Sequence, residues 1–168
     1  MSSTEVFWAT ANDVATIRRL AVDSWWPAYG SYLPHGQINL MLENQYAEAV
    51  LKRQLDEGHG FLLAYRRGLP VGFAGLREMV EDGMSAIRIE KLYILPDEQG
   101  KGIGRALLAT VDEYARKRCA SYLELNVNRN NPAKGFYEKL GFLVVREVDI
   151  PYHGYVLNDY VMRKPVGS

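Results

Sequence analysis

Residues 92–109, LYILPDEQGKGIGRALLA, decide the fold of this chain. A short apolar run ends at Pro96, and acidic residues, a row of spaced glycines and a helical pattern follow it. The glycines are Gly100, Gly102 and Gly104. A helix N-terminus carries unpaired N–H groups and the positive end of the helix dipole, so a glycine turn before it lets an anion approach the backbone. The stretch therefore predicts a phosphate or pyrophosphate site, which Gln99 and Lys101 could also contact.

Two other phosphate-binding loops fit this stretch less well. The dinucleotide fingerprint needs G-x-G-x-x-G, and here the third glycine comes one position early. The P-loop needs Gly-Lys followed by Ser or Thr, whereas Lys101 is followed by Gly102. Taken alone, the glycines also fit a flexible turn between a strand and a helix, so phosphate binding and a plain turn both stay open at this point.

The composition is typical of a globular protein, and we expect one domain over residues 1–168. Hydrophobic residues make up 48% of the chain and charged residues 24%, and 20 basic side chains balance 20 acidic ones. This balance removes the electrostatic argument for nucleic acid or an anionic membrane as a partner. The one cysteine, Cys119, excludes an internal disulfide and a cysteine-based metal cluster. No histidine spacing indicates a metal site either.

The chain start lacks the basic stretch and apolar segment of a secretory signal, and no run is long enough to span a bilayer. We therefore expect a cytoplasmic protein. We expect Cys119 to be a small, mostly buried residue on the apolar stripe of the helix that follows the glycines, rather than a catalytic thiol.

Hydrophobic periodicity predicts the element order βααβββαβαββ. The first helix is expected to end at Pro27, and a second helix is expected to run over residues 38–58. Pro96 ends the fourth strand, and the last two strands should pair antiparallel. For this order the economical packing is an α/β fold with a mixed central sheet of about seven strands flanked by helices.

A second motif follows at residues 126–142, NVNRNNPAKGFYEKLGF. Together with the glycine loop it resembles the GCN5-related N-acetyltransferase (GNAT) family. That family binds the pyrophosphate of acetyl-CoA with a Q/R-x-x-G-x-G/A loop after its fourth strand, which residues 99–104 match without a gap. Its N-x-x-A-x-x-F/L-Y-x-x-x-G-F signature is matched by Asn130, Ala133, Phe136, Tyr137, Gly141 and Phe142. The element order also agrees, so the resemblance covers nearly the whole chain.

The resemblance implies acetyl-CoA as co-substrate and no metal. It implies that backbone N–H groups near Tyr93 and Ile94 contact the acetyl carbonyl and the pantetheine arm, and that Asn130 contacts the same arm. Asn130 would also cap the helix that starts near Pro132. The residues implied in coenzyme binding are Leu92, Tyr93, Ile94, Gln99, Gly100, Lys101, Gly102, Ile103, Gly104, Arg105, Asn130, Ala133 and Tyr137.

Tyr137 and Glu90 are the candidate catalytic residues. The family places the tyrosine of this motif beside the coenzyme sulfur, where its hydroxyl can protonate the departing thiolate. Its alternative role is a core aromatic, which we expect for Phe136. Polyamine acetyltransferases of the family carry a glutamate at the same offset from the loop as Glu90, and a carboxylate there could accept a proton from an ammonium group. The alternative is an exposed strand residue paired with Arg88 or Lys91.

The acceptor pocket is implied at the loop SWWPAYGSYLPHG, residues 24–36, because the family uses this region and its last two strands to wall that pocket. The candidate substrate-binding residues are Trp25, Trp26, Tyr29 and Tyr32. Aromatic faces suit a cationic amine or an apolar part of a substrate. We also expect at least one of the tryptophans to pack the helix against the sheet instead.

The stretch from the fourth strand onward looks most like the bacterial diamine and polyamine acetyltransferases. We therefore predict direct transfer to the primary amine of a small molecule in a ternary complex, without an acyl-enzyme. Alternatives are a protein N-terminal amine, an amino sugar, and an acyl-CoA-binding module without activity. The neutral net charge argues mildly against a polyamine, whose site should be locally acidic. Residues that could supply this charge are Asp23, Glu43, Glu78, Glu81 and Asp159. We expect a homodimer, and we expect neither nucleic acid nor a membrane as a partner.

Overall fold

A computed structural model describes residues 3–167 of the chain. The strands are β1 (Glu5–Trp8), β2 (Gly60–Arg66), β3 (Leu69–Glu81), β4 (Met84–Ile94), β5 (Tyr122–Asn128), β6 (Leu143–Tyr152) and β7 (Tyr155–Pro165). The α-helices are α1 (Val14–Tyr29), α2 (His35–Tyr46), α3 (Glu48–Asp56), α4 (Ile103–Lys117) and α5 (Ala133–Lys139). Short 3-10 turns lie at Ala11–Asp13 and Pro96–Glu98.

The strands form one seven-stranded sheet in the order β1-β2-β3-β4-β5-β7-β6. Strands β4 and β5 are parallel, as expected when a helix connects them, and the pair β6–β7 is antiparallel. The predicted mixed central sheet flanked by helices is therefore confirmed, as is the antiparallel pairing of the last two strands.

Contacts divide the chain into two compact units, each built from two stretches. The first unit contains the chain up to Arg77 together with Lys91–Val111. The second contains Glu78–Glu90 and the chain from Asp112 onward. Strand β4 and helix α4 thus contribute residues to both units. The single domain over residues 1–168 stays a prediction.

The core of the first unit is formed by helices α1 to α3 and strands β2 and β3. Its fully buried members include Ile17, Ile38, Leu51, Phe61 and Phe73. Burying each of these side chains contributes about 1.5–3 kcal/mol. This packing fixes α1, which carries Trp25, Trp26 and Tyr29, and α2, which follows the turn that contains Tyr32.

Two helix boundaries differ from the prediction. Helix α1 continues through Pro27 to Tyr29, because the proline lies in the last turn and removes only one backbone donor. The predicted helix over 38–58 is two helices, α2 and α3, separated at Ala47, whose ψ of 143° is extended. Tyr46 and Leu51 are both buried, and positions five apart on a straight helix would point in different directions. The break therefore lets both side chains reach the core.

The prediction that Cys119 is mostly buried was wrong, because this residue is exposed. Helix α4 ends at Lys117, and Cys119 has a φ of 57°, in the left-handed region. The Ala120 N–H donates to the carbonyl oxygen of Ala115, five residues earlier, at 2.9 Å. A hydrogen bond of this span closes the C-terminus of many helices. Cys119 thus occupies the left-handed capping position outside the apolar stripe.

Gly72 brings β3 and β4 into close approach in the first unit. A Cβ atom at this position would lie 2.9 Å from the carbonyl oxygen of Tyr93 and 3.1 Å from Cγ1 of Ile94. The obstacle is backbone, which cannot rotate away, so we expect Gly72→Ala to lower the free energy of unfolding by about 1–3 kcal/mol. Urea unfolding measures this effect. Gly135→Ala in α5 is the control, because its Cβ would meet nothing within 4 Å. Equal stability of the two variants would contradict the prediction.

Candidate active site

The loop between β4 and α4 has the backbone that the glycine spacing predicts. Gly100 and Gly102 have φ values of 79° and 82°, a region that favours glycine. A Cβ atom on either residue would meet no protein atom within 4 Å, so the loop is open beside them. Helix α4 begins immediately after, at Ile103, and its first-turn N–H groups have no partner within the helix. This geometry can receive an anion.

A charged group adjoins this loop. Lys101 Nζ and Arg66 Nη1 lie 3.3 Å and 3.1 Å from the same carboxylate oxygen, Oε2 of Glu98. Burial alone would raise the pKa of Glu98, but the hydrogen bonds from Lys101 and Arg66 hold it below its ordinary value. Lys101, which the sequence assigns to phosphate oxygens, is thus paired with Glu98.

Tyr93, at the end of β4, belongs to an aromatic cluster in the first unit. Its hydroxyl lies 2.9 Å from that of Tyr29, and its ring centroid lies 5.6 Å from Trp25 and 5.8 Å from Phe73. Strand β4 therefore presents the Tyr93 side chain to helix α1. The neighbouring residues Leu92 and Ile94 are half-buried.

The four candidate acceptor residues divide between core and surface of the first unit. Trp25 is buried, and its ring centroid lies 4.5 Å from that of Tyr29 and 5.6 Å from that of Tyr93 on β4. This confirms the expectation that at least one tryptophan packs the helix against the sheet. Trp26, Tyr29 and Tyr32 are half-buried. Among the described residues, the buried Trp25 Nε1, Ser24 Oγ and Gln37 Nε2 have no hydrogen-bond partner. These polar atoms indicate hydrogen-bonding capacity beside the aromatic rings.

Glu90 lies in the second unit and is paired with Arg88, as one alternative proposed. Its Oε2 is 3.8 Å from Arg88 Nε, and its side chain is 29% exposed. The other residue named as a partner, Lys91, is buried, and its Nζ donates to Gln54 Oε1 at 2.7 Å within the first unit. Glu90 thus keeps an accessible carboxylate on β4.

Arg88 connects Glu90 to a polar row across strands β4, β5 and β7. Its Nη1 donates to Glu124 Oε2 at 2.7 Å and its Nη2 to Asn126 Oδ1 at 2.9 Å. Asn126 Nδ2 in turn donates to Asp159 Oδ2 at 3.3 Å. The row therefore links Glu90 on β4, through Arg88 and Asn126, to the carboxylate of Asp159 on β7.

Asp159 was named in the sequence only as one of several possible sources of negative charge. Burial raises the pKa of its carboxyl above the ordinary value, against the lowering effects of the Asn126 hydrogen bond and of Arg88 and Arg129. A carboxyl with a raised pKa is a better proton acceptor near neutral pH. The alternation of polar residues in β5 hinted at the row, but the pairing of β5 with β7 could not be read from the sequence.

The raised pKa predicts how stability depends on pH. The folded state holds the Asp159 proton more tightly than the unfolded state, so the free energy of unfolding falls as pH rises from the unfolded pKa, about 3.9, through the folded one. Asp159→Asn removes this fall, so the variant should gain stability relative to the wild type between pH 4 and pH 7. Urea unfolding at both pH values measures the difference. The same gain in the exposed-site control Asp23→Asn would contradict the assignment.

The second motif forms helix α5 and its approach in the second unit. The Ala133 N–H donates to Asn131 Oδ1 at 2.9 Å, so the expected cap by Asn130 was wrong: the neighbouring asparagine makes this bond. The backbone N–H of Asn130 donates to Asn128 Oδ1 at 2.9 Å. The N-cap position of α5 is Pro132, which has no side-chain cap bond, and the Asn131 side chain closes the turn just before it.

Tyr137 is buried on α5, with 8% of its surface exposed. Its ring centroid lies 5.4 Å from that of Phe136 and 5.8 Å from that of Phe142. The ring therefore packs in the second unit as the alternative role required. Packing of the ring and chemistry at the hydroxyl are compatible, because they use different atoms.

Three of the possible acidic residues are neutralised by arginine. Glu43 lies 3.6 Å from Arg18. Glu78 pairs with Arg118, and Glu81 pairs with Arg163.

Among residues 3–167, no group of three or more His, Cys, Asp and Glu side chains could hold a metal ion. In the same range, no helix is both long and apolar enough to cross a membrane.

Comparison with known proteins identifies the family. The model of the Acetyltransferase (GNAT) family matches residues 19–142, and this chain belongs to that family. The predicted resemblance is thus confirmed.

Relatives differ in the acceptors that their names state. An uncharacterized N-acetyltransferase of Methanocaldococcus jannaschii is 35% identical over 108 residues, 58% of this chain but only 43% of that protein. The N-alpha-acetyltransferase RimI of Mycobacterium tuberculosis is 28% identical, over 75% of this chain and 79% of that protein. The spermidine N(1)-acetyltransferase of Thermoplasma acidophilum is 24% identical, over 84% of this chain and 89% of that protein.

A solved structure supports the fold. The PaiA N-acetyltransferase from Thermoplasma acidophilum, crystallised in complex with coenzyme A, superposes with a TM-score of 0.83 at 24% identity. The match covers 97% of this chain and 99% of that one. The predicted GNAT fold is confirmed by this likeness.

Proposed function

We propose that this chain is an N-acetyltransferase that moves the acetyl group of acetyl-CoA to the primary amine of a small molecule. The observation that carries the proposal is the open turn at Gly100 and Gly102, whose left-handed backbone leads directly into helix α4. In a member of the GNAT family, this turn is suited to the coenzyme pyrophosphate. Gln99, Lys101 and Arg105 supply side chains, and Ile103 and Gly104 supply first-turn N–H groups.

The reaction proceeds by direct attack in a ternary complex. The neutral amine nitrogen bonds to the acetyl carbonyl carbon, and backbone N–H groups near Tyr93 and Ile94 stabilise the oxyanion that forms. Collapse of this intermediate breaks the carbon–sulfur bond, and the departing thiolate takes the proton of the Tyr137 hydroxyl. The nitrogen loses its second proton as the amide forms, and this proton, passed directly or through water, restores the tyrosine hydroxyl. The carboxylate of Glu90, directly or through water, accepts the proton that the ammonium group loses. Asn130 and Ala133 contribute to coenzyme binding, as Leu92 does from β4.

A polyamine-like acceptor is favoured by the aromatic side chains of α1 and the following turn. Trp26, Tyr29 and Tyr32 are half-buried and can contact a cationic or apolar substrate. Trp25 contributes by holding Tyr29 in place, because it is itself buried. The likeness to a spermidine acetyltransferase agrees with this assignment.

A protein N-terminal amine is the second candidate acceptor. The arginine pairs of Glu43, Glu78 and Glu81 leave these carboxylates neutralised, which weakens the case for a substrate with several positive charges. The likeness to RimI, named as an N-alpha-acetyltransferase, supports this candidate.

Release of free CoA from acetyl-CoA tests the function directly. The amine panel contains spermidine, putrescine, an aminoglycoside and a short peptide with a free N-terminus. We expect turnover on spermidine that falls in Glu90→Gln and persists in Glu113→Gln, an exposed carboxylate paired with Lys117. Turnover on the peptide alone would replace the small-molecule acceptor by a protein. Binding of acetyl-CoA without turnover on any amine would support a binding module instead.

A further inference from the structure

A cavity of about 360 Å³ lies in the first unit, next to the glycine loop. It is lined by Arg66, Arg67, Leu69, Val71, Glu98 and Lys101. Three of these side chains are cationic and one is anionic, so the lining carries a net positive charge in a chain whose formal net charge is 0. A concave wall with a net positive charge is suited to an anion.

Arg67 occupies a position that the backbone makes unfavourable for arginine. Residues Arg67 and Gly68 form the two-residue turn between β2 and β3, with φ values of 54° and 73°. Such a turn prefers Asn-Gly or Asp-Gly, because a side chain other than these costs roughly 1 kcal/mol in the left-handed region. The neighbouring hairpin, between β3 and β4, has the favoured Asp82–Gly83 at the same place. The strained position of Arg67 therefore points to a use for its charge.

Glu98 joins this turn to the glycine loop. Its Oε2 accepts from Arg66 at 3.1 Å and from Lys101 at 3.3 Å, so one carboxylate holds a cation from the hairpin and a cation from the loop on the same side of the cavity. Arg66 is fixed further by burial, since its side chain is only 17% exposed. Arg67 lines the same cavity and is exposed at the turn. The cavity thus combines two positioned cations with one at its rim.

We propose that this cavity binds a phosphate monoester, the 3′-phosphate of coenzyme A. This inference rests on the proposed function, in which the loop containing Lys101 receives the pyrophosphate. Coenzyme A carries its monoester on the ribose attached to that pyrophosphate, so a ligand seated on the loop has a second phosphate within a few bonds. Arg67 and Arg66 discriminate coenzyme A from 3′-dephospho-CoA by charge-assisted hydrogen bonds.

Arg67→Asn is the decisive variant, because it removes the charge and creates the Asn-Gly turn that this backbone prefers. The variant is therefore expected to fold at least as well as the wild type. Calorimetric titration should show coenzyme A binding about tenfold more weakly to the variant, and 3′-dephospho-CoA binding unchanged. His153→Asn is the matched control, because His153 and Gly154 form the same kind of turn between β6 and β7. It should leave both affinities unchanged.

Inorganic phosphate tests whether the cavity binds the 3′-phosphate of coenzyme A or free phosphate. If the cavity serves the coenzyme, phosphate weakens coenzyme A binding toward that of 3′-dephospho-CoA and leaves the latter unaffected. Equal affinity of the wild type for both coenzymes would overturn the inference while leaving the proposed function intact, and phosphate binding in that case would assign the cavity to free phosphate. Failure of both coenzymes to bind would overturn the proposed function together with this inference.

Discussion

Replacing Gly102 by alanine is expected to weaken coenzyme A binding by at least about tenfold, while lowering stability by only about 1–2 kcal/mol. The φ of this residue is 82°, so any side chain is strained there. The added methyl group meets no protein atom within 4 Å and therefore projects into the space that the proposal assigns to the pyrophosphate. Calorimetric titration of coenzyme A into the variant measures the loss.

A matched control separates strain from obstruction. Gly154, in the turn between β6 and β7, has a φ of 86°, and a Cβ atom there also meets nothing within 4 Å. Gly154→Ala should therefore cost the same stability and leave coenzyme affinity unchanged. If both variants lose affinity equally, strain explains the effect and the loop is no pyrophosphate site. If Gly102→Ala binds coenzyme A as tightly as the wild type, the same conclusion follows.

The glycine loop was predictable because its cause is local. Left-handed backbone at Gly100 and Gly102 strongly favours glycine, so the conformation leaves a mark in the sequence at those positions. Strand and helix order were predictable for a similar reason, since burial of one face imposes a period on neighbouring residues.

The helix break at Ala47 had no such local mark. It arises because Tyr46 and Leu51 both enter the core of the first unit, and tertiary packing overrides a continuous helical pattern. Cys119 is a comparable case. Its backbone is left-handed at the end of α4, a conformation that sequence reasoning expects of glycine or asparagine rather than cysteine.

The polar row was beyond sequence reasoning because it depends on register. Asp159 reaches Asn126 only because β7 pairs with β5, with Asn126 opposite Val161 and Asn128 opposite Asp159. A shift of one residue would turn Asp159 to the other face of the sheet. Sequence alternation predicts which residues share a face within one strand, and it does not predict which strand lies beside it.

Tyr137→Phe is expected to lower kcat by about 100-fold or more, with little change in the KM for acetyl-CoA. The substitution removes one hydroxyl and keeps the ring that packs against Phe136 and Phe142. Stability should fall by no more than about 1 kcal/mol, the usual net worth of one hydrogen bond. We expect kcat to change and KM to stay the same because the hydroxyl acts on the thiolate, which forms only as the carbon–sulfur bond breaks.

Steady-state rates of CoA release at saturating amine measure this effect, with Tyr114→Phe as the control. Tyr114 is half-buried near the end of α4, and loss of its hydroxyl should leave kcat unchanged. A Tyr137→Phe enzyme with wild-type kcat would show that water or another group protonates the thiolate, and would leave Tyr137 as a core aromatic. A rise in KM with unchanged kcat would instead assign the hydroxyl to ground-state binding of the coenzyme, because an interaction made equally before and during bond breaking cannot accelerate the chemical step.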